Sequence, residues 1–124
     1  MDSTTAPSLF IVAAALRSEQ RDAEAVPLLE QALESASTFP AVAVELARSL
    51  NAVGRSRDAL AVLKRARRRW PEEADVCHVA GVAYQLSDDL LRAARCYDKA
   101  LALDPTHHGS WFNLHMMVMS RPLH

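Results

Sequence analysis

Residues 74–107 read ADVCHVAGVAYQLSDDLLRAARCYDKALALDPTH, and the preceding 34 residues carry the same pattern. When the two segments are aligned, Ala59 falls on Ala93 and Pro71 on Pro105. One period earlier, the same inner positions hold Ala25, Leu29 and Ala32. A period of about 34 residues built from helical segments is typical of a solenoid of stacked helix pairs.

Each period contains two helical segments separated by turn signals. Gly54 favours the left-handed conformation that ends a helix, and Asp89 is a suitable cap for the next one. Pro71 and Pro105 close the second helix of their periods, because proline lacks an N–H and clashes with the preceding turn. The predicted helices are 8–19, 23–35, 41–53, 57–69, 74–86, 90–103 and 110–119. We therefore expect an all-α fold of three helix pairs plus one C-terminal helix.

Small residues at fixed positions explain how these helices stack. Side chains no larger than a methyl group let two helix backbones approach to the short end of the usual range of about 8–10 Å. The recurring small residues are Ala13, Ala47 and Gly81 in the first helices, and Ala25, Ala59 and Ala93 in the second helices. The expected organisation is a disordered tail at 1–7, repeats at 8–39, 40–73 and 74–107, and a C-terminal helix within 108–124 that begins a fourth repeat.

These positions resemble the signature of the tetratricopeptide repeat. The third repeat matches it through Gly81, Tyr84, Ala93, Tyr97, Ala100 and Pro105, and the second through Ala47, Leu50, Ala59, Leu63, Ala66 and Pro71. The resemblance covers about residues 6–119. It implies a right-handed superhelix whose concave face, formed by the first helices, holds a protein partner.

Composition and charge exclude several other classes. The chain has 124 residues, 50% of them apolar, and a formal charge of −1, so nothing draws it generally toward nucleic acid or anionic membrane. The apolar run from Leu9 to Leu16 follows Asp2 and no basic residue, which disfavours a signal peptide. No apolar run is long enough to span a membrane. Two cysteines make no disulfide framework, and the predicted location is the cytoplasm.

The sequence lacks the patterns of a catalytic or metal site. Cys77 and His78 are neighbours, so on a helix their side chains diverge by about 100° and do not readily share a metal. With 3 glycines there is no phosphate-binding loop and no G-x-S-x-G motif. The basic run 64–69 ends a helix, where cations interact favourably with the helix dipole. We therefore predict no enzyme activity, no metal, no cofactor and no nucleic-acid partner.

The groove face of each first helix follows from the 100° step per residue. The predicted groove residues are Phe10, Ala14, Arg17, Val44, Glu45, Arg48, Asn51, His78, Val79, Val82, Gln85, Phe112, Asn113 and Met116. This strip is apolar at both ends and polar in the middle, and such a strip suits the apolar face of a partner helix or a peptide. A competing interpretation, in which neighbouring helices cover part of it, remains open.

Three functional hypotheses follow. The first is an adaptor or chaperone-like module, the second a self-associating scaffold, and the third the interaction domain of a larger enzyme or regulator. Family members that bind the acidic C-terminus of a chaperone present basic residues and asparagine in the groove, whereas this chain offers Ala14, Glu45, Asp75 and Val79. That activity is therefore not expected.

The C-terminal helix departs from the polar outer face that normally ends a solenoid. Its apolar residues surround most of the helix, and they are Trp111, Phe112, Leu114, Met116, Met117, Val118 and Met119. His115 occupies the position held by small residues in the earlier repeats, which hinders close packing of an ordinary partner helix. We expect this helix to meet a partner protein or to form a homo-oligomer.

Overall fold

The computed structural model describes residues 6–35 and 40–120, and these residues form seven α-helices and no strand. The helices are α1 (Ala6–Ser18), α2 (Asp22–Ser35), α3 (Pro40–Ala52), α4 (Ser56–Arg69), α5 (Ala74–Leu86), α6 (Leu90–Leu103) and α7 (His108–Ser120). The all-helical expectation is confirmed, with helix ends within two residues of those predicted. Helix α1 begins at Ala6, inside the segment expected to be a tail, and the rest of that segment lies outside the described residues.

The same turn closes the first helix of every pair. Gln20, Gly54 and Asp88, spaced 34 residues apart, adopt positive φ angles of 59°, 81° and 61°. The next amide donates back to the carbonyl oxygen of the residue five positions earlier: from Arg21 to Leu16 at 2.8 Å, from Arg55 to Leu50 at 2.7 Å and from Asp89 to Tyr84 at 2.9 Å. This Schellman-type closure satisfies carbonyls that the helix end leaves open. It reverses the chain so that the second helix lies against the first.

Small residues line the contact between the two helices of each pair, as expected. Ala13, Ala25, Ala47, Ala59 and Ala93 are all 0% exposed. Larger side chains fill the spaces between repeats, where Leu29, Leu63 and Tyr97 are also 0% exposed. These nonpolar side chains remove apolar surface from water, which is the main favourable term in folding such a stack.

The helices form two layers. Each helix packs on the next one along the chain, and the first helices α1, α3 and α5 also contact each other in sequence order. Helices α2, α4 and α6 form the second layer. No helix in the described part of the chain combines the length and apolarity needed to cross a membrane.

Candidate protein-binding groove

A cleft of about 520 Å³ lies along the layer of first helices. It is lined by Arg17 of α1, by Arg48, Asn51 and Ala52 of α3, and by His78, Val79, Val82 and Leu86 of α5. Six of these eight residues belong to the strip predicted from the sequence. We call this cleft the groove.

Two polar side chains in the groove have unsatisfied atoms. Asn51 is 8% exposed, yet neither its amide nitrogen nor its amide oxygen has a hydrogen-bond partner among the described residues. The Nε of Arg48 is likewise buried without a partner. Buried polar groups in folded proteins are nearly always hydrogen-bonded, and leaving one unpaired costs about 1–3 kcal/mol. Three such atoms on adjacent turns of α3 therefore mark a place that calls for a bound polar group.

Other groove residues neutralise each other. Arg17 donates from Nε to Oδ1 of Asp22 at 2.9 Å and also pairs with Glu45. Ser49, which is fully buried, donates to the same oxygen of Asp22 at 3.1 Å. The charge of Arg17 is thus already used inside the protein, and Arg48 remains as the free cation of the groove.

The end of the groove near α7 is built around His78. Its Nδ1 lies 2.8 Å from the hydroxyl of Ser110, a fully buried residue of α7. The ring of His107 lies 4.7 Å away, and its Nε2 is 2.7 Å from Oδ1 of Asp75. Burial, together with His107 and Arg48, lowers the pKa of His78 to about 4. His78 is therefore neutral near pH 7 and adds no charge to the groove.

Gln85 and Asn113 hold a tyrosine that comes from the second layer. The hydroxyl of Tyr97 donates to Oε1 of Gln85 at 2.7 Å and accepts from Nδ2 of Asn113 at 3.1 Å. Burial raises the pKa of Tyr97 to about 12, so the hydroxyl stays protonated. This network links α5, α6 and α7, and it explains why α7 is oriented on the stack.

Comparison with known proteins agrees with this architecture. A family model described as tetratricopeptide repeat matches residues 16–79, about half of the chain, and a second model of the same description matches residues 74–107. The chain belongs to the tetratricopeptide repeat family. Among curated protein sequences no significant match was found.

Several solved tetratricopeptide structures are similar to this chain. YrrB, described as having an unusual peptide-binding site, shares 20% identity at a TM-score of 0.84; the match covers 90% of this chain but 58% of that one. The first such domain of human RPAP3 shares 15% identity at 0.86, covering 93% and 91% of the two chains. The first domain of Spaghetti (RPAP3), bound to the HSP90 peptide SRMEEVD, shares 16% at 0.84, covering 97% and 95%. At these identities the likeness shows the fold.

Two valines of the predicted groove strip lie in the core of the tetratricopeptide stack. Val44 is 6% exposed and Val79 is 1% exposed, and both belong to the main hydrophobic cluster. The expectation that they form an exposed apolar strip is therefore wrong. Adjacent first helices approach closely enough to cover these positions. Val79 still contributes to the floor of the groove, while Val82 and Leu86 supply its more accessible apolar wall.

The outer members of the predicted strip lie away from the groove. Phe10 is half-buried and packs against the hydrophobic core at α2 and α3, whereas Ala14 is exposed on α1. Phe112 and Met116 are 63% and 45% exposed on α7. These positions extend the layer of first helices at its two ends, but they do not line the same cleft.

Sequence reasoning missed part of this site. Ala52 and Leu86 line the groove at the C-terminal ends of α3 and α5, close to the turns. Ser110 gave no signal as a polar anchor, because its hydrogen bond to His78 joins residues 32 apart in sequence. Spacing of 34 does relate Ala52 to Leu86, and that register would have identified them as a pair.

The basic run occupies the second layer, on α4. Arg65 and Arg69 line a separate cleft of about 470 Å³ together with Glu30 and Glu34 of α2. Opposite charges share this surface, so it presents no concentrated positive field. Arg67 instead approaches a thiol, with Nη1 4.0 Å from Sγ of Cys96.

Proposed function

We propose that this tetratricopeptide protein is a non-catalytic interaction module that holds a peptide or an amphipathic helix of a partner protein in its groove. The observation that carries the proposal is the pair of unsatisfied side chains, Arg48 and Asn51, beside an apolar wall. A cleft with a few unpaired polar groups and apolar walls suits a chain segment with alternating character. An adaptor or chaperone-like role in the cytoplasm fits, with the two cysteines free and buried.

The proposed segment differs from the peptide bound by the Spaghetti domain. In this chain Glu45 and Asp75 lie near the groove, paired with Arg17 and His107 respectively. A segment with several adjacent carboxylates would compete with these internal pairs and be repelled by Glu45 and Asp75. We therefore propose a partner that carries less negative charge than that peptide, SRMEEVD.

A selection experiment tests the proposal. Immobilised protein is used to select binders from a random peptide library displayed on phage, and the selected peptides are measured by fluorescence anisotropy. Val82→Glu places a carboxylate in the apolar wall without disturbing the fully buried core, and it should abolish binding while leaving the circular dichroism spectrum unchanged. The matched control is Val62→Glu, because Val62 is also half-buried but lines the other cleft.

The result that contradicts the groove is equally clear. Binding that survives Val82→Glu, but is lost with Val62→Glu or with replacement of Arg65 and Arg69 by serine, would assign the function to the second layer. A selection that yields no peptide of measurable affinity would count against peptide binding altogether.

A second proposal concerns α7, which we infer is also a contact surface for a second copy of the chain. Trp111, Phe112, Val118 and Met119 are 57–69% exposed on this one helix. Contiguous exposed apolar patches on soluble proteins mark interaction sites. Light scattering of wild type and of Phe112→Glu/Met116→Glu tests it, because the double variant should be monomeric where wild type is a dimer. A wild type that stays monomeric at high concentration excludes self-association.

A further inference from the structure

The polar residues of α3 divide into two sets. Glu45 and Ser49 are paired with Arg17 and Asp22, whereas Arg48 and Asn51 have buried atoms with no partner among the described residues. Arg48 also forms no ion pair within residues 6–35 and 40–120. Folding stability does not explain this second set, because unpaired buried polar atoms destabilise the free protein. Their complement must come from a bound molecule.

The chemistry of that complement follows from the charges around it. Arg17 is neutralised by Asp22 and Glu45, and His78 is uncharged near neutral pH because its pKa is about 4. Arg48 therefore contributes the single uncompensated charge among the described residues that line the groove. A guanidinium in a partly buried site favours a carboxylate, with which it forms strong, short hydrogen bonds.

The neighbours of Arg48 define what must flank that carboxylate. Asn51 offers one free donor and one free acceptor, which together match the C=O and N–H of a main-chain amide. Val82 and Leu86 on the opposite helix provide an apolar wall. One free cation matches one carboxylate, and Glu45 and Asp75 stand nearby to disfavour a second.

Resting on the function proposed above, we propose that Arg48 and Asn51 form a recognition subsite for a single internal Asp or Glu of the partner segment, adjacent to an aliphatic residue. Arg48 binds the side-chain carboxylate, Asn51 binds the main chain beside it, and the aliphatic side chain packs on Val82 and Leu86. A chain terminus would bring its own carboxylate in addition to an acidic side chain, which is one negative charge more than the groove compensates.

The test uses synthetic peptides taken from the phage selection and capped as C-terminal amides. We expect the selected sequences to contain one acidic residue next to an aliphatic one. Arg48→Gln should weaken binding at least about tenfold, since a hydrogen bond to a charged group contributes about 1.5–3 kcal/mol. Replacing the peptide's acidic residue by its amide should cause the same loss, and the two changes together should cost little more than either alone. Arg48→Lys should restore part of the affinity.

Controls separate this subsite from the groove itself. Arg65→Gln, on the other cleft, should leave affinity unchanged. If Val82→Glu abolishes binding but Arg48→Gln does not weaken it, the groove stands and the carboxylate subsite is wrong. If neither change matters, the proposed function fails first. Peptides that bind only with a free C-terminal carboxylate would show that the subsite reads a chain end, which also overturns the proposal.

A stability measurement adds an outcome that a purely structural role would not produce. Asn51→Leu has similar volume and removes two unpaired polar atoms, so it should raise the Tm of the free protein while weakening peptide binding. Ser49→Ala is the matched control, because it removes a buried and paired hydroxyl on the same helix and should lower the Tm. A lower Tm for Asn51→Leu would show that the amide is paired within the protein and would refute the subsite.

Discussion

Adding a single methyl group at Gly81 tests the packing that sets the position of the third repeat. A Cβ built at this residue would lie 2.6, 2.8 and 2.9 Å from three ring atoms of Tyr97. Ordinary contact begins at about 3.4 Å, so the ring and α5 must separate by about 0.8 Å in Gly81→Ala. Tyr97 cannot retreat easily, because it is fully buried and its hydroxyl is held by Gln85 and Asn113.

The magnitude is a balance of two effects. Overpacking a well-filled core typically costs about 1–3 kcal/mol. Alanine is a better helix former than glycine by about 1 kcal/mol, which offsets part of this cost. Because the clash involves a constrained aromatic ring, we expect the upper part of the overpacking range to apply. Gly81→Ala should therefore lower the free energy of unfolding by about 1–2 kcal/mol.

The repeat itself supplies the matched control. The positions equivalent to Gly81 and Tyr97 in the second repeat are Ala47 and Leu63, so Gly81→Ala combined with Tyr97→Leu copies a pairing that the protein already uses. In urea unfolding, the cost of Gly81→Ala should shrink by about 1 kcal/mol or more in the Tyr97→Leu background. Gly81→Ala that instead stabilises the wild type by about 1 kcal/mol would refute the close approach of ring and helix.

Three further predictions concern stability. Since the pKa of His78 falls from 6.5 to about 4 on folding, the unfolded chain binds more protons in this window; stability should decrease as pH falls from about 6.5 to 4, and less so in His78→Gln, as measured by urea unfolding at several pH values. Tyr97→Phe should lose about 1 kcal/mol with the hydrogen bond to Gln85, and an unchanged urea midpoint would show that this bond does not form in solution. Tyr84→Ala should cost about 2 kcal/mol by the same assay, less than the 3–5 typical of buried aromatics, because Tyr84 is half exposed; no loss would mean that its ring lies outside the stack.

The repeat pattern was sufficient to predict the helices and their pairing. Helix ends follow from local chemistry, since Gly54 takes the left-handed conformation and Asp89 caps α6 through the amide of Arg92. The small residues at equivalent positions are buried because two helices of one pair meet there. Sequence did not reveal that Gln20 and Asp88 adopt the same turn conformation as Gly54, because nonglycine residues reach it only when the surrounding helices enforce it.

The groove shows the limit of the same reasoning. The 100° step per residue places a side chain on a face of its helix, but it does not measure how near the next helix comes. That distance decided that Val79 is buried while Val82 remains accessible.

The sequence by itself determined the fold of this protein, because a 34-residue period of small and large residues admits one way of stacking helix pairs. Only the tertiary structure decided which polar side chains remain available to a partner. Arg17 and Glu45 pair across 28 residues of sequence, whereas Arg48 is left with its Nε unsatisfied. Such pairing depends on distances between helices that no single-helix pattern contains, so the character of the groove appears only once the repeats are stacked.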